Sequence, residues 1–348
     1  MRINKLGISN KKATVILGAG ASRGAKCFEN TLLPAPLDAD FFAVMQRVQH
    51  NEKLLSDFLE FLRAEFGDGA CPRMEELFTQ LEALEEFHAN LQIKVGPRVR
   101  KYGQHLGKFV AITSTFFRHI FVDSSNNRRT CDYHYQLAKA LNAEDTVISF
   151  NYDCLMDGAL AQHGGRSWNA TIGYGLTIQG NIAPWDSAVA GPGRRALSPI
   201  KLLKLHGSLN WDRTNHAPPT PTTVQLRPDP YSPINRDRSE IVPPVWDKTI
   251  GGDDVFRAIW KEARRILPTG PILVAVGYSV PPTDLLSQAL IRVAASERAA
   301  NQKLTHLIIV NPDPPSRTRF IELVRAGLSR ETVIVELKWL SELKDLLS

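Results

Sequence analysis

Short apolar runs, each closed by glycine or a polar cluster, punctuate this chain. Ala13 to Leu17 ends in Gly18-Ala19-Gly20-Ala21-Ser22 and reads as a buried strand entering a tight turn. Thr146 to Phe150, Lys201 to Leu205, Ile272 to Val276, Leu307 to Val310 and Thr332 to Leu337 read as further strands. Helices are expected after Asn151-Tyr152-Asp153 through Ala161, and over 253–266, 282–296, 316–326 and 339–347. The stretch 38–122 reads as almost wholly helical. Leu54, Leu55, Phe58, Phe61 and Leu62 form one stripe at helical spacing, and Leu77, Leu81 and Leu84 another. Glu75 and Glu76 open the second helix, where its N-terminus is positive. Both stripes read as core. The stretch 218–244, rich in Pro, Thr and Asp, reads as an irregular loop with one short strand near Ile241-Val242.

Strands alternating with helices imply an α/β fold with a doubly wound parallel Rossmann-like sheet. The expected organisation is a single domain, 1–348, with a helical insertion at about 38–142 after the first strand. No internal repeat is visible.

Composition narrows the setting. Hydrophobic residues make up 43% and charged residues 22%, as in globular proteins. No apolar run approaches the roughly 18 residues of a membrane helix, and Met1 to Lys12 is polar. Cys27, Cys71, Cys131 and Cys154 form no C-x-x-C pair, which argues against a zinc ribbon or a disulfide framework. A cytoplasmic protein without membrane contact is expected. The net charge of +6 is spread over scattered basic pairs, so it reads as a solvated surface with a weak attraction for polyanions, including phosphorylated ligands.

The candidate chemistry sits directly after the strands. In an open α/β sheet the carboxyl ends of the strands line the ligand crevice. The glycine turn reads either as a structural turn or as a close approach to a pyrophosphate. It lacks the full G-x-G-x-x-G, because Arg23 holds the third glycine position. A dehydrogenase would need a second strand ending in an acid about 20 residues on; here that interval is Phe41 to Met45, which reads as helix, so hydride transfer is disfavoured. Asn151 reads as a helix N-cap or turn residue, or as a ligand contact; Asp153 reads as the cap of the helix beginning at Cys154, and Asp284 as a residue that caps or precedes its helix. His206 reads as a satisfied structural residue or a site residue, and Gly207 beside it suggests a close approach.

Taken in order, the clusters are more specific than any one of them. They are GAGAS (18–22), SFNYD (149–153), KLHGSLNW (204–211), VPP (242–244), GYSVPPTD (277–284) and VNPDP (310–314), with MEELFTQLE at 74–82. Over about residues 13–315 this order resembles the bacterial sirtuin-like domain family. The resemblance implies a Rossmann-type NAD site with Asn151 and His206 as the catalytic pair. It implies cofactor contacts from Gly18, Ala19, Gly20, Ser22, Asp153, Gly207, Gly277, Ser279 and Asn311, with Gly18, Gly20 and Ser22 at the pyrophosphate and Asn311 at the adenosine ribose. Sirtuins that deacylate lysine carry a zinc module of paired C-x-x-C motifs; this chain has none, so no metal is expected. The match is better to the NAD hydrolases of antiphage systems. The family pattern G-I-P-D-F-R is poorly kept, with Leu33-Pro34-Ala35-Pro36 as its counterpart and no arginine.

The expected activity is therefore that of an NAD+ glycohydrolase, an antiphage effector that depletes NAD when activated by homo-oligomerisation or by a partner such as a HerA-type ATPase or a short Argonaute, with nucleic acid involved only indirectly. The rival expectations are a lysine deacylase and a non-catalytic subunit that binds NAD or ADP-ribose. The nicotinamide of NAD+ leaves neutral, so the general acid of an ordinary glycosidase is not needed. Asn151 would hold ribose hydroxyls or water, and His206 would act as general base. An imidazole, titrating near about pH 6.5, suits that task.

Overall fold

The computed structural model describes residues 1–3, 6, 8, 11–25, 27, 33–48, 52–67, 72–90, 105–187, 199–212, 222–232, 239–241 and 254–347. Its strands are β1 (Ala13–Leu17), β2 (Thr146–Ser149), β3 (Thr177–Gln179), β4 (Lys201–Lys204), β5 (Gly207–Asp212), β6 (Thr223–Leu226), β7 (Ser239–Ile241), β8 (Ile272–Val276), β9 (His306–Val310) and β10 (Val333–Leu337). Six of these form one sheet in the order β10-β9-β8-β1-β2-β4. Every pair in it is parallel. Counted in chain order within the sheet, this is 3-2-1-4-5-6, the doubly wound Rossmann order. The strands are short, β-branched and apolar because both faces are covered; all five residues of β1 and of β8 are buried. The order reverses between β1 and β8, which opens a crevice at their carboxyl ends.

Helices fill the connections. Between β1 and β2 run α1 (Ala19–Arg23), α2 (Phe41–Arg47), α3 (Lys53–Phe66), α4 (Met74–Asn90), α5 (Phe109–Phe121) and α6 (Asp132–Ala140). Their contact surfaces are aromatic: Phe41 meets Phe116 edge-on at 5.0 Å, and Phe78 meets Phe109 at 4.6 Å. Phe109 reaches Tyr152 and Phe121 stacks on Tyr231, which ties this layer to the segment after β2 and to the region of the second sheet. Leu77 and Leu81 are buried as the helical stripe predicts, but Leu84 is 38% exposed. Beyond β2 follow α7 (Leu155–His163), α8 (Ala170–Gly173), α9 (Asp254–Ile266), α10 (Leu285–Ser296), α11 (Pro314–Val324) and α12 (Leu340–Leu347). The helix expected from Ser316 starts at Pro314, since proline suits the first helical turn and Asp313 caps it by accepting from Ser316 N at 3.0 Å. The helix expected from Pro282 starts at Leu285.

A second sheet, β3-β6-β5-β7, is absent from the sequence reading. Its strand β5 pairs antiparallel with β6 and β7, and β6 lies inside the stretch read as loop. The short strand expected near Ile241-Val242 is β7, and the VPP cluster lies outside the described residues. The chain leaves β4 and enters β5 within two residues, a turn that Gly207 permits with φ +83°.

Candidate active site

The crevice at the switch point is built by two turns that interlock. Gly18 N donates to Val276 O at 2.9 Å, and Gly20 N donates to Gly277 O at 3.0 Å. A Cβ on Gly18 would meet Gly277 O at 2.6 Å. One on Gly277, where φ is +63°, would meet Ala21 N at 2.1 Å and Gly20 C at 2.2 Å. These glycines let the β1 turn rest directly on the β8 turn. Since the N–H groups of Gly18 and Gly20 are taken up in the process, what those two residues offer a ligand is close approach, not hydrogen-bond donors. Gly277→Ala is expected to cost roughly 1–2 kcal/mol for the left-handed backbone and about 1–3 kcal/mol more for the overlap. Urea unfolding would measure it, and a loss below about 1 kcal/mol would contradict this account of the turn.

A cleft of about 1220 Å³ opens over these turns. That exceeds the ~300–1,000 Å³ typical of small-molecule pockets and suits an extended, dinucleotide-sized ligand. Of the sequence-derived site residues, Gly18, Ala19, Gly20, Ser22, Asn151, Asp153, His206, Gly277, Ser279 and Asn311 all line it. Gly207 is not on its wall; it is buried at the start of β5, one residue behind His206.

Asn151 does not cap α7, whose N-cap is Cys154. Its Nδ2 donates to Gly18 O at 3.0 Å and Ser22 Oγ at 3.1 Å. Its Oδ1 is buried with no hydrogen-bond partner, an arrangement that native proteins rarely leave unanswered. Asp153 is a bracket: Oδ2 accepts from Ser22 Oγ at 2.6 Å and Oδ1 from Leu155 N at 3.0 Å. It thereby fixes the end of β2 to the β1 turn.

His206 is buried beside Phe150 and Tyr152, with ring centroids at 5.2 and 6.3 Å. Its Nε2 lies 4.0 Å from Asp284 Oδ1. Asp284 stands at the N-cap of α10, but its side chain makes no capping bond; Oδ2 accepts from Tyr278 OH at 3.5 Å. Burial, with Asp284 and Glu75 nearby, holds the Tyr278 phenol well above its ordinary pKa. Burial, Glu75, Asp284 and Asp38 do the same to Tyr152. Both phenols therefore stay protonated. Asn311 spans the β8 and β9 turns, donating from Nδ2 to Tyr278 O at 3.4 Å and accepting Asp313 N at Oδ1. Past β10, Lys338 and the half-exposed Trp339 complete that end of the wall.

Among the described residues no group of three or more His, Cys, Asp or Glu is arranged to hold a metal ion. No described helix is long and apolar enough to cross a membrane.

No family model matches the sequence, and no curated protein matches it. Among solved structures, one from work on the structural basis for the mechanism and regulation of Sir2 enzymes is similar to this chain. The likeness covers 97% of this chain and 90% of that one, at 13% identity and a TM-score of 0.38. The fold assignment stands on the strand order and register themselves.

Sequence reasoning missed part of what surrounds the pair. Asp284 reads as a helix cap in the sequence, yet it faces His206. Glu75 reads as a helix-terminal charge, yet it is 5% exposed on the cleft wall. The KLHGSLNW cluster serves mainly the floor of the site. Lys204 Nζ donates to Asp153 O at 2.6 Å and Asp157 Oδ2 at 3.0 Å. Tyr174 OH and Asn210 Nδ2 donate to Asp157 Oδ1, and Ser208 Oγ donates to Asn210 Oδ1. The signal was a lysine and an asparagine inside apolar strands, where polar residues need buried partners.

Proposed function

We propose that this chain is an NAD+ glycohydrolase, cleaving the nicotinamide–ribose bond to give nicotinamide and ADP-ribose. The observation that carries the reading is Asn151: a buried side chain whose amide is anchored to the β1 turn, whose carbonyl oxygen has no partner, and which shares a cleft with His206. In this reading Asn151 Oδ1 accepts from a ribose hydroxyl or the attacking water. His206 takes the proton of that water, and Asp284, 4.0 Å away, favours the imidazolium that results. The reacting half of the substrate lies at the β2 and β4 ends. The adenosine half extends toward Asn311 and Trp339. Gly277, Gly18 and Gly20 supply the flat approach for the pyrophosphate between them.

Unchecked NAD hydrolysis is toxic, so the activity must be gated. The ordered motifs support an antiphage effector switched by self-association or by a separate partner, with a HerA-type ATPase and a short Argonaute as family precedents. The test is NAD consumption by the purified chain, alone and with the products of neighbouring genes, with nicotinamide and ADP-ribose quantified. Equimolar release of the two products is expected. NAD that binds and persists unchanged would replace this reading with that of a binding subunit. Turnover that requires an acyl-lysine peptide would replace it with a deacylase.

A further inference from the structure

One carboxylate on the cleft wall has no part in the reaction just described. Glu75 comes from the first turn of α4, in the helical layer, and is 5% exposed. Asp38, itself on the cleft wall, accepts from Glu75 N at 2.9 Å and so fixes the start of α4 there. Thr283 Oγ1 donates to Glu75 Oε2, which sets the carboxylate beside the segment carrying Asp284. Glu75 also acts electrostatically on both Tyr152 and Tyr278. Tyr152 stands 6.3 Å from His206, and Asp284 4.0 Å from it. Glu75, Asp284, the two phenols and His206 are therefore neighbours on the wall of the cleft that Asn151, with its unpartnered Oδ1, also lines.

A carboxylate on a cleft wall, where screening by water is reduced, attracts a cationic ligand. NAD+ carries a fixed positive charge on its pyridinium ring. Resting on the glycohydrolase reading, we propose that Glu75 is a catalytic carboxylate which faces the nicotinamide-riboside half and stabilises the positive charge that develops on the ribose. As the C1′–N bond breaks, its electron pair goes to the nicotinamide nitrogen, which leaves neutral. C1′ and the ring oxygen share the positive charge until water adds at C1′ and gives its proton to His206, then to solvent. NAD+ and water become nicotinamide, ADP-ribose and one proton. The helical layer is then part of the active site, and the site selects an oxidised, cationic dinucleotide.

Two measurements on the full chain test this. In a His206→Ala background, calorimetry should show NAD+ binding about tenfold more tightly than NADH, which lacks the ring charge. Adding Glu75→Gln, which keeps an acceptor for Thr283, should cut that preference to about twofold while changing ADP-ribose affinity less than about threefold. In the parent chain, Glu75→Gln should lower kcat about 10²-fold with a much smaller change in KM. An undiminished NAD+ preference overturns the proposal. So does a parallel loss of ADP-ribose binding, which would mean that Glu75 only docks α4, and so does failure to bind either dinucleotide. The binding arm gives its answer even if the parent chain turns over no NAD, so failure of the glycohydrolase reading and failure of the role given to Glu75 are told apart.

Discussion

His206→Ala and Asn151→Ala are each expected to lower NAD hydrolysis by about 10²- to 10⁴-fold, the range that general acid–base and positioning groups supply. The two losses have different origins. Removing the imidazole takes away the proton acceptor and leaves the cavity otherwise intact, so ADP-ribose affinity should hold. Removing Asn151 also unties Gly18 O and Ser22 Oγ from Nδ2, so some loss of ADP-ribose affinity should accompany the loss of rate. Because both groups act on one water and one ribose, the double variant should fall little below the worse single one. Time courses of nicotinamide release and ADP-ribose calorimetry on the three variants check this. Near-parental turnover in either single variant would remove that residue from the mechanism.

Lys204→Met is expected to cost about 3–5 kcal/mol of stability, enough to unfold many domains of ordinary stability. Lys204 and Asp157 are each 1% exposed and form an ion pair at 3.0 Å. Burial works against the ammonium, but Asp157, Cys154 and Asp153 outweigh it, and the pKa of Lys204 stands above its ordinary value. Taking away the lysine alone strands Asp157 and frees the Asp153 carbonyl, which Lys204 holds at 2.6 Å. The effect should reach the site, because the Asp153 carboxylate positions Ser22. Lys204→Met combined with Asp157→Leu should recover a large part of the loss, since a matched apolar pair replaces the desolvated charges. Urea unfolding of the two single variants and the double variant measures the coupling. A single-variant loss below about 1 kcal/mol would show that the pair carries little of the stability of the floor.

The parallel sheet was legible because its determinants are local. Ala13–Leu17 and Ile272–Val276 are β-branched apolar runs of strand length, and the chain folds them at those very bounds. The alternation with helices determined the doubly wound class, and the polar clusters at strand ends marked which rim to inspect. The second sheet was not legible. β3 and β6 are three and four residues long, too short for a periodicity to register, and β5 follows β4 across a two-residue turn.

The same divide runs through the candidate site. The sequence marked Asn151 and His206 as candidates, because a polar residue after an apolar strand is a local signal, and their pairing is what the resemblance to sirtuin-like domains implies. Only the tertiary structure decided that Asn151 anchors to the β1 turn instead of capping α7, that Asp284 faces His206, and that the helical layer sends Glu75 into the cleft. Those facts join residues more than 70 positions apart, and no local pattern encodes a pairing over that distance. It follows from which faces the Phe-rich helices and the sheet bury against each other.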